Sequence, residues 1–270
     1  MLGQAVVAAA TRLGHDVVAL SRAELDVTDA DHVRRVVAAA EPRAVVNCAA
    51  WTDVDGAETA EATATAVNGD GAGNVAKAAA ETGARIVHVS TDYVFDGERE
   101  HAGGGTGEPW VESDPVNPQT AYGRTKLAGE RATAEANPRH HVVRTSWLFG
   151  AGGKNFVETI LRLAGERDVL RVVDDQVGSP TFTGHLAPAL VALARTDDFG
   201  VHHASAAGSC SWFEFAREIL ERSGSDAHVE PCTTAEFPRP AERPAYSVLG
   251  GGPGLPSWRD GLDAYLGVRV

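Results

Sequence analysis

Lysine is scarce: only Lys77, Lys126 and Lys154 stand among 24 basic residues, against 37 acidic ones. The formal charge of −13 is offset by no dense Lys/Arg cluster, which argues against a nucleic-acid partner, because phosphate contacts need a basic footprint. The cysteines, Cys48, Cys210 and Cys232, are odd in number, widely spaced and without a C-x-x-C pair. Neither a disulfide framework nor a thiolate zinc site is therefore expected. No apolar run approaches the ~18–20 residues that span a bilayer, so no membrane partner is expected. The opening MLGQAVVAAATRLGHD lacks a basic leading region and runs into a patterned strand, unlike a signal peptide; a cytoplasmic location is expected. With 270 residues, 43% hydrophobic and 23% charged, the chain can bury a core without covalent staples.

Periodicity supplies the architecture. Leu2, Val6, Ala9, Ala10 and Leu13 share one helical face that ends at Gly14. DVVAL at 16–20 reads as a buried strand, and Asp29 as the cap of a helix over 30–41. Strand 44–50, an Ala-rich helical stretch to about residue 82 and strand 85–90 repeat the unit. A Gly- and Pro-rich loop (96–118) precedes a helix at about 119–136, strand 141–147, a helix at 154–167 and strand 169–173. Apolar strands alternating with helices predict an α/β fold, a doubly wound parallel sheet with ligands at the carboxyl ends of the strands. Beyond 174 the alternation weakens, with helices around 185–195, 211–223 (N-cap Ser211) and 257–266 (N-cap Ser257) and a Pro-rich stretch at 238–246. The predicted division is a dinucleotide-binding domain over 1–173 and a smaller, mainly C-terminal substrate-binding lobe over 174–270.

The sharpest chemical signal is Tyr122-Gly-Arg-Thr-Lys126 at a helix start. Positions i and i+4 share a helix face, so the ammonium can lie beside the phenol. A nearby cation favours the ionised phenol, the adjustment that a proton donor to a carbonyl needs. By itself the spacing also fits a solvated tyrosine above a surface lysine. Ser90-Thr91-Asp92 follows an apolar strand directly, where Thr91 can donate to a carbonyl oxygen as charge develops, or where the three residues simply form a turn. His140-His141 and His202-His203 come with no H-E-x-x-H, and no metal site is expected. No G-x-S-x-G elbow accompanies the serines, which disfavours a hydrolase.

Tyr122…Lys126 with Thr91 resembles the Ser/Thr-Tyr-Lys triad of the extended short-chain dehydrogenase/reductases. NCAAWTDVDGAE (47–58), STDYVFDG (90–97), AYGRTKLAGE (121–130), RTSWLFG (144–150), DDQVGSPT (174–181) and RPAYSVL (243–249) are similar to the branch that reduces dTDP-linked 4-keto sugars. The resemblance covers nearly the whole chain. It implies a Rossmann-like fold, hydride transfer from a nicotinamide cofactor to a 4-keto-6-deoxy hexose, and Thr91, Tyr122 and Lys126 as the catalytic set. Thr91, Asp92 and Trp147 would contact the nucleotide sugar. Gly3, Arg22, Asp26, Val27, Ala50, Trp51 and Thr52 would bind the cofactor together with Tyr122 and Lys126, and Asn68 would support the site. Arg22 just past strand 16–20 favours NADPH, since arginine accommodates a 2′-phosphate, while Glu24 keeps NADH open.

Three departures from the family pattern are expected to matter. Met1-Leu2-Gly3-Gln4 looks like the end of a Gly-rich phosphate turn, so the first strand and earlier glycines, about ten residues, are expected to be missing. EREHAGGGTG (98–107) looks like an extended loop at the substrate rim, and Gly250-Gly-Gly-Pro replaces the usual continuation after RPAYSVL. The rivals are a reductase of another nucleotide-linked 4-keto sugar and a non-catalytic regulatory subunit like the beta subunit of methionine adenosyltransferase. A homodimer is left open, as is any magnesium requirement.

Overall fold

The computed structural model describes residues 1–98, 107–252 and 254–267. Helix α1 (Leu2–Arg12) buries Leu2, Val6, Ala9 and Ala10, the stripe that a 3.6-residue period places on one face. Asp29 caps α2 (Ala30–Ala40) by accepting the His32 amide, and Val33 and Val37 enter the core. Strand β1 (Ala44–Asn47) follows. The Ala-rich stretch is interrupted: short helices at Val54–Ala57 and Glu61–Thr65 lead into a π-helical turn, Ala66–Asp70, and then α3 (Gly71–Glu81). Such π turns inside helices often sit at functional sites, and this one carries Asn68. Next come β2 (Arg85–Thr91), α4 (Ala121–Ala136) with Thr120 as its cap, and β3 (His140–Thr145).

Beyond these lie α5 (Phe156–Ala164), β4 (Val169–Val173), α6 (Thr183–Leu193) and β5 (Gly200–His203). The last elements are α7 (Trp212–Ser223), β6 (His228–Cys232) and α8 (Trp258–Gly267). A full capping box, Ser211 with Glu214, starts α7, and the Ser257 hydroxyl accepts the Asp260 amide at the start of α8.

The main sheet has the order β1-β2-β3-β5, all parallel. Alternation along the strands divides its two faces. Val87 and Val143 pack with α1 and α6 residues such as Leu2, Val6, Leu186 and Leu190. Ile86 packs with Val33 and Val37 of α2 and Val75 of α3. Thr91 ends β2 opposite Thr145 of β3, so the residues just past both strands meet at the carboxyl edge.

Two expectations about strands need correction. Residues 16–20 form no strand: no described residue pairs with them, and Val17, Val18 and Leu20 are exposed. A strand exists only through its ladder, and an apolar pattern without a neighbour leaves extended chain. Strand β4 forms as expected but pairs in parallel with β6, apart from the main sheet. Its Leu170 and Val172 join Phe149, Ile160, Phe215 and Trp258 in a second apolar core. Meanwhile α6 and β5, beyond residue 174, complete the first core and the main sheet. Division at 173 therefore does not separate the two cores. The expected extended loop at 98–107 lies, except for Glu98 and Gly107, outside the described residues.

Beneath the carboxyl edge, Arg144 of β3 makes two hydrogen bonds to Glu130 of α4, at 3.0 and 2.8 Å, and Ser90 donates to the same carboxylate. Both charged side chains are about 95% buried, at 5% and 6% exposure. Glu130→Ala leaves the guanidinium buried without its counter-ion, an expected loss of about 3–5 kcal/mol. It should be read as a lower urea midpoint at constant slope; a loss below about 1 kcal/mol, the value of an exposed pair, would contradict this account.

Candidate active site

Thr91 is in extended conformation at the end of β2 and nearly buried. Its hydroxyl donates to Asp92 Oδ1 at 2.9 Å and accepts from the Tyr93 amide at 3.3 Å, and it lies near enough to the Tyr122 phenol to favour the ionised form. Asp92 is buried, and its Oδ2 has no hydrogen-bond partner among the described residues. Burial pushes the Asp92 carboxyl up to about 6, outweighing the hydrogen bonds of Ser247 and Thr91. Tyr93 meets Tyr122 edge-to-face, with ring centroids 5.5 Å apart. Three of the expected residues, Thr91, Asp92 and Tyr122, thus come together at the end of β2, the first two hydrogen-bonded to each other.

Tyr122 lies in the first turn of α4, and the helix comes close because Gly123 carries no side chain: a Cβ there would overlap the Tyr93 carbonyl oxygen. Lys126 follows one turn later, but its amine does not meet the phenol. It is buried and donates to the Val89 carbonyl at 2.6 Å, because the side chain turns inward against β2 while the phenol reaches the strand's end. Burial accordingly pushes the phenol up to about 12; Thr91 opposes the rise and the Asp92 charge adds to it. The expected downward pull of Lys126 on Tyr122 is not a property of this arrangement.

Asn68 is fully buried in the π turn. Its Oδ1 accepts the Trp51 amide at 2.8 Å, and its Nδ2 donates to the Trp51 carbonyl at 3.1 Å and to Thr125 Oγ1 at 2.9 Å. Thr125 in turn donates to the Tyr122 carbonyl. Asn68 thereby ties the loop after β1 to the helix that carries Tyr122. Trp51 and Tyr122 both pack against the cluster Ala57, Ala64 and Ala121; Ala50 is partly buried beside Trp51, and Thr52 is exposed.

The remaining expected cofactor residues stand along the β1 side. Gly3 is in the first turn of α1, whose start has no side-chain cap, and a Cβ on it would stand 3.8 Å from Cys48. Asp26 accepts both the amide and hydroxyl of Thr28, which hold its carboxyl below the usual range. Val27 is partly buried against Gly71, and its carbonyl accepts from Asn74. Arg22 is exposed and makes no ion pair with any described residue, whereas Glu24 is occupied by the Ser21 amide and hydroxyl. Among the described residues no group of three His, Cys, Asp or Glu is placed to hold a metal ion.

Trp147, just past β3, adopts φ +46° and stacks face to face on Trp212, the parallel rings having centroids 3.5 Å apart. Gly178 lies against it where a Cβ would overlap the indole. Trp212, Ser247 and His88 were not among the expected residues. Trp212 carries an apolar-helix signal, while Ser247 and His88 sit in strand-like patterns with no local mark of proximity.

Comparison with known proteins agrees with this geometry. The family model described as RmlD substrate binding domain matches residues 1–266. A dTDP-4-dehydrorhamnose reductase of Streptomyces griseus is 46% identical over 256 residues, covering 92% of this chain and 82% of that protein. The crystal structure of a dTDP-4-dehydrorhamnose reductase from Clostridium acetobutylicum superposes with a TM-score of 0.94 at 41% identity, covering 99% of this chain and 95% of that one. The Bacillus anthracis reductase, solved in complex with NADP, gives 0.93 at 37% identity, covering 100% and 95%.

Raised burial of Asp92 has a measurable consequence. Its folded pKa, about 6, lies above that of an unfolded aspartate, so its protonated form favours the fold. That contribution is fully present below pH 4 and is lost as pH rises through about 6. Relative to Asp92→Asn, the unfolding free energy should fall between pH 4 and 7 by on the order of 3 kcal/mol. Parallel stability curves for the two proteins across this window would refute the assignment.

Proposed function

The chain belongs to the RmlD substrate binding domain family, and we propose that it catalyses the NADPH-dependent reduction of dTDP-4-dehydro-L-rhamnose to dTDP-L-rhamnose in the cytoplasm. The observation that carries the reading is the Tyr122–Thr91–Asp92 cluster at the carboxyl edge of a parallel sheet, in a chain that matches such reductases along nearly its full length.

The residues present fit the cofactor. The uncapped start of α1 with Gly3 offers amide donors to a pyrophosphate, and the unpaired Arg22 offers a guanidinium to a 2′-phosphate. Asp26 and Val27 are assigned to the adenine side, with Ala50, Trp51 and Thr52 along the path to the nicotinamide and Lys126 at its ribose. When bound, NADPH supplies the hydride that reduces C4.

The chain's own residues supply the proton and the geometry. Tyr122 donates its phenolic proton to the C4 alkoxide oxygen as the C–H bond forms; its high pKa keeps the proton in place until that charge develops. The Thr91 hydroxyl, which rests on Asp92 Oδ1, turns its proton to the phenolate that remains and steadies it. The free Oδ2 of Asp92 accepts a sugar hydroxyl, and the Trp147–Trp212 stack offers an apolar wall to the sugar nucleotide. Cofactor contacts fall within 1–173, whereas Trp212 and Ser247 bring substrate contacts from beyond 174.

Turnover with dTDP-4-dehydro-L-rhamnose, compared with GDP- and UDP-linked 4-keto sugars and followed by NADPH oxidation, tests the assignment; equal rates with all three would defeat the dTDP specificity. Tyr122→Phe should lower kcat by about 10²–10⁴-fold while NADPH affinity changes little, and near-normal turnover would remove Tyr122 as the proton donor. Arg22→Ala should erode the preference for NADPH over NADH by about tenfold, the equivalent of 1.4 kcal/mol. An unchanged ratio of kcat/KM values for the two cofactors would show that Arg22 does not read the 2′-phosphate.

A further inference from the structure

His88 is fully buried beside the site, yet the chemistry above gives it no role. It lies on β2, opposite Asn47 of β1 in the ladder, with its ring held between two nitrogen atoms. Nδ1 is 3.3 Å from Asn47 Nδ2, and Nε2 is 3.4 Å from Lys126 Nζ. A neutral imidazole has one N–H and one lone pair, so it cannot accept from both neighbours. Burial, reinforced by the Lys126 charge, holds the ring pKa well below its ordinary value, which keeps it neutral.

The tautomer follows from the neighbouring amide. Asn47 Oδ1 accepts the Ala49 amide at 3.1 Å, which turns the Asn47 NH₂ toward His88. Nδ1 is then the acceptor, and the ring proton sits on Nε2, facing Lys126. Aimed at an ammonium, that N–H opposes donor to donor; aimed at a neutral amine, it meets a lone pair. The bond from Lys126 to the Val89 carbonyl is available to either form.

Other groups around the amine do not reverse this preference. Glu130, one turn further along α4, favours the ammonium, but both its oxygens are committed to Arg144 and one also to Ser90. Cys48, after β1, is pushed up to about 11 by burial and is a neutral thiol at pH 7. Burial pulls Lys126 itself down to about 8.

We propose that His88, its tautomer set by Asn47, is a positioning residue that disfavours the ammonium of Lys126 and so lowers the pH at which that side chain gives up its proton. The claim about the amine stands on the apoprotein geometry; only its consequence for turnover rests on the reductase reading.

The scarcity of lysine makes the test direct. Protein labelled with ¹³Cε-lysine gives three resonances, and Lys126→Arg identifies the one that belongs to Lys126. Lys77 and Lys154 are exposed and serve as internal references. In the native protein Lys126 should titrate well below both. In His88→Gln, whose amide can turn its oxygen to the amine, the midpoint should rise by about one unit or more, a tenfold change in proton affinity, and the basic limb of kcat/KM, where the lysine loses its proton, should move with it. ¹⁵N shifts of the native His88 ring should report the Nε2–H tautomer, a readout that does not require the variant to fold. An Nδ1–H tautomer, or a Lys126 midpoint in His88→Gln within about 0.3 unit of the native one, would overturn the proposal. A shifted midpoint in a protein that does not turn over the dTDP sugar would count against the reductase reading and leave the role of His88 standing.

Discussion

Helix α4 lies so close to the π turn that a Cβ at Gly129 would overlap the Asn68 carbonyl oxygen, and so close to the end of β2 that a Cβ at Gly123 would overlap the Tyr93 carbonyl oxygen. Close approach along both flanks is what allows one helix to present Tyr122 at the strand's end, Lys126 against its ladder and Glu130 beneath it. Separations between packed layers are ordinarily set by side-chain bulk, near 10 Å; a glycine on each flank removes that bulk where the backbone must come nearest. The π turn contributes the other half of the fit, because its extra residue per turn swings Asn68 inward to hold both Trp51 and Thr125.

That proximity places an unusual amount of polarity inside the fold. Ser90, Glu130 and Arg144 form a buried chain, with the Arg144 guanidinium also 5.1 Å from the centre of the Phe95 ring. Buried ion pairs rarely add net stability over apolar packing, since desolvation offsets much of the attraction. Their value here is geometrical. The pair crosses from β3 to α4 near Thr91 and Tyr122, and it holds Glu130 at a fixed place from which its charge favours the Lys126 ammonium without a direct hydrogen bond. The same charge placement that fixes the helix therefore also controls which protonation state its lysine can hold.

Local patterns were the legible part of this molecule, and relations between distant segments were not. The i, i+4 spacing marked Tyr122 and Lys126 as neighbours on α4, and the caps at Asp29, Ser211 and Ser257 form where their sequences place them. Periodicity could not say which strand pairs with which: residues 169–173 have the same apolar signature as β2 but find β6, and residues 16–20 have it without any described partner. Shared helix face also did not mean shared contact. A phenol and an ammonium one turn apart part company when one finds a hydroxyl at the strand end and the other a carbonyl along the strand. His88 was illegible for the same reason, since its significance lies entirely in Asn47 and Lys126, 41 and 38 residues away.

Charge poses the remaining problem of synthesis. A chain of net −13 has no long-range field to gather a dinucleotide phosphate or a nucleotide diphosphate sugar. At physiological ionic strength, however, exposed charges are screened beyond about 8 Å, so the distant carboxylates count for little at the site and near donors decide. Many of the arginines are already spent in ion pairs, as with Arg85 and Asp197, Arg124 and Glu61, or Arg243 and Asp55. Among the described residues Arg22 makes no ion pair, and the first turn of α1 presents amides without a side-chain cap. An acidic surface with a few uncommitted donors along one edge reconciles the composition, which disfavours a polyanionic partner, with a site that holds small anions through fixed local contacts. Lysine scarcity belongs to the same economy of charge: burial pulls Lys126 down to about 8, so the lysine inside the site holds its proton less firmly than an exposed one, and a phosphate or alkoxide close to it strengthens that hold.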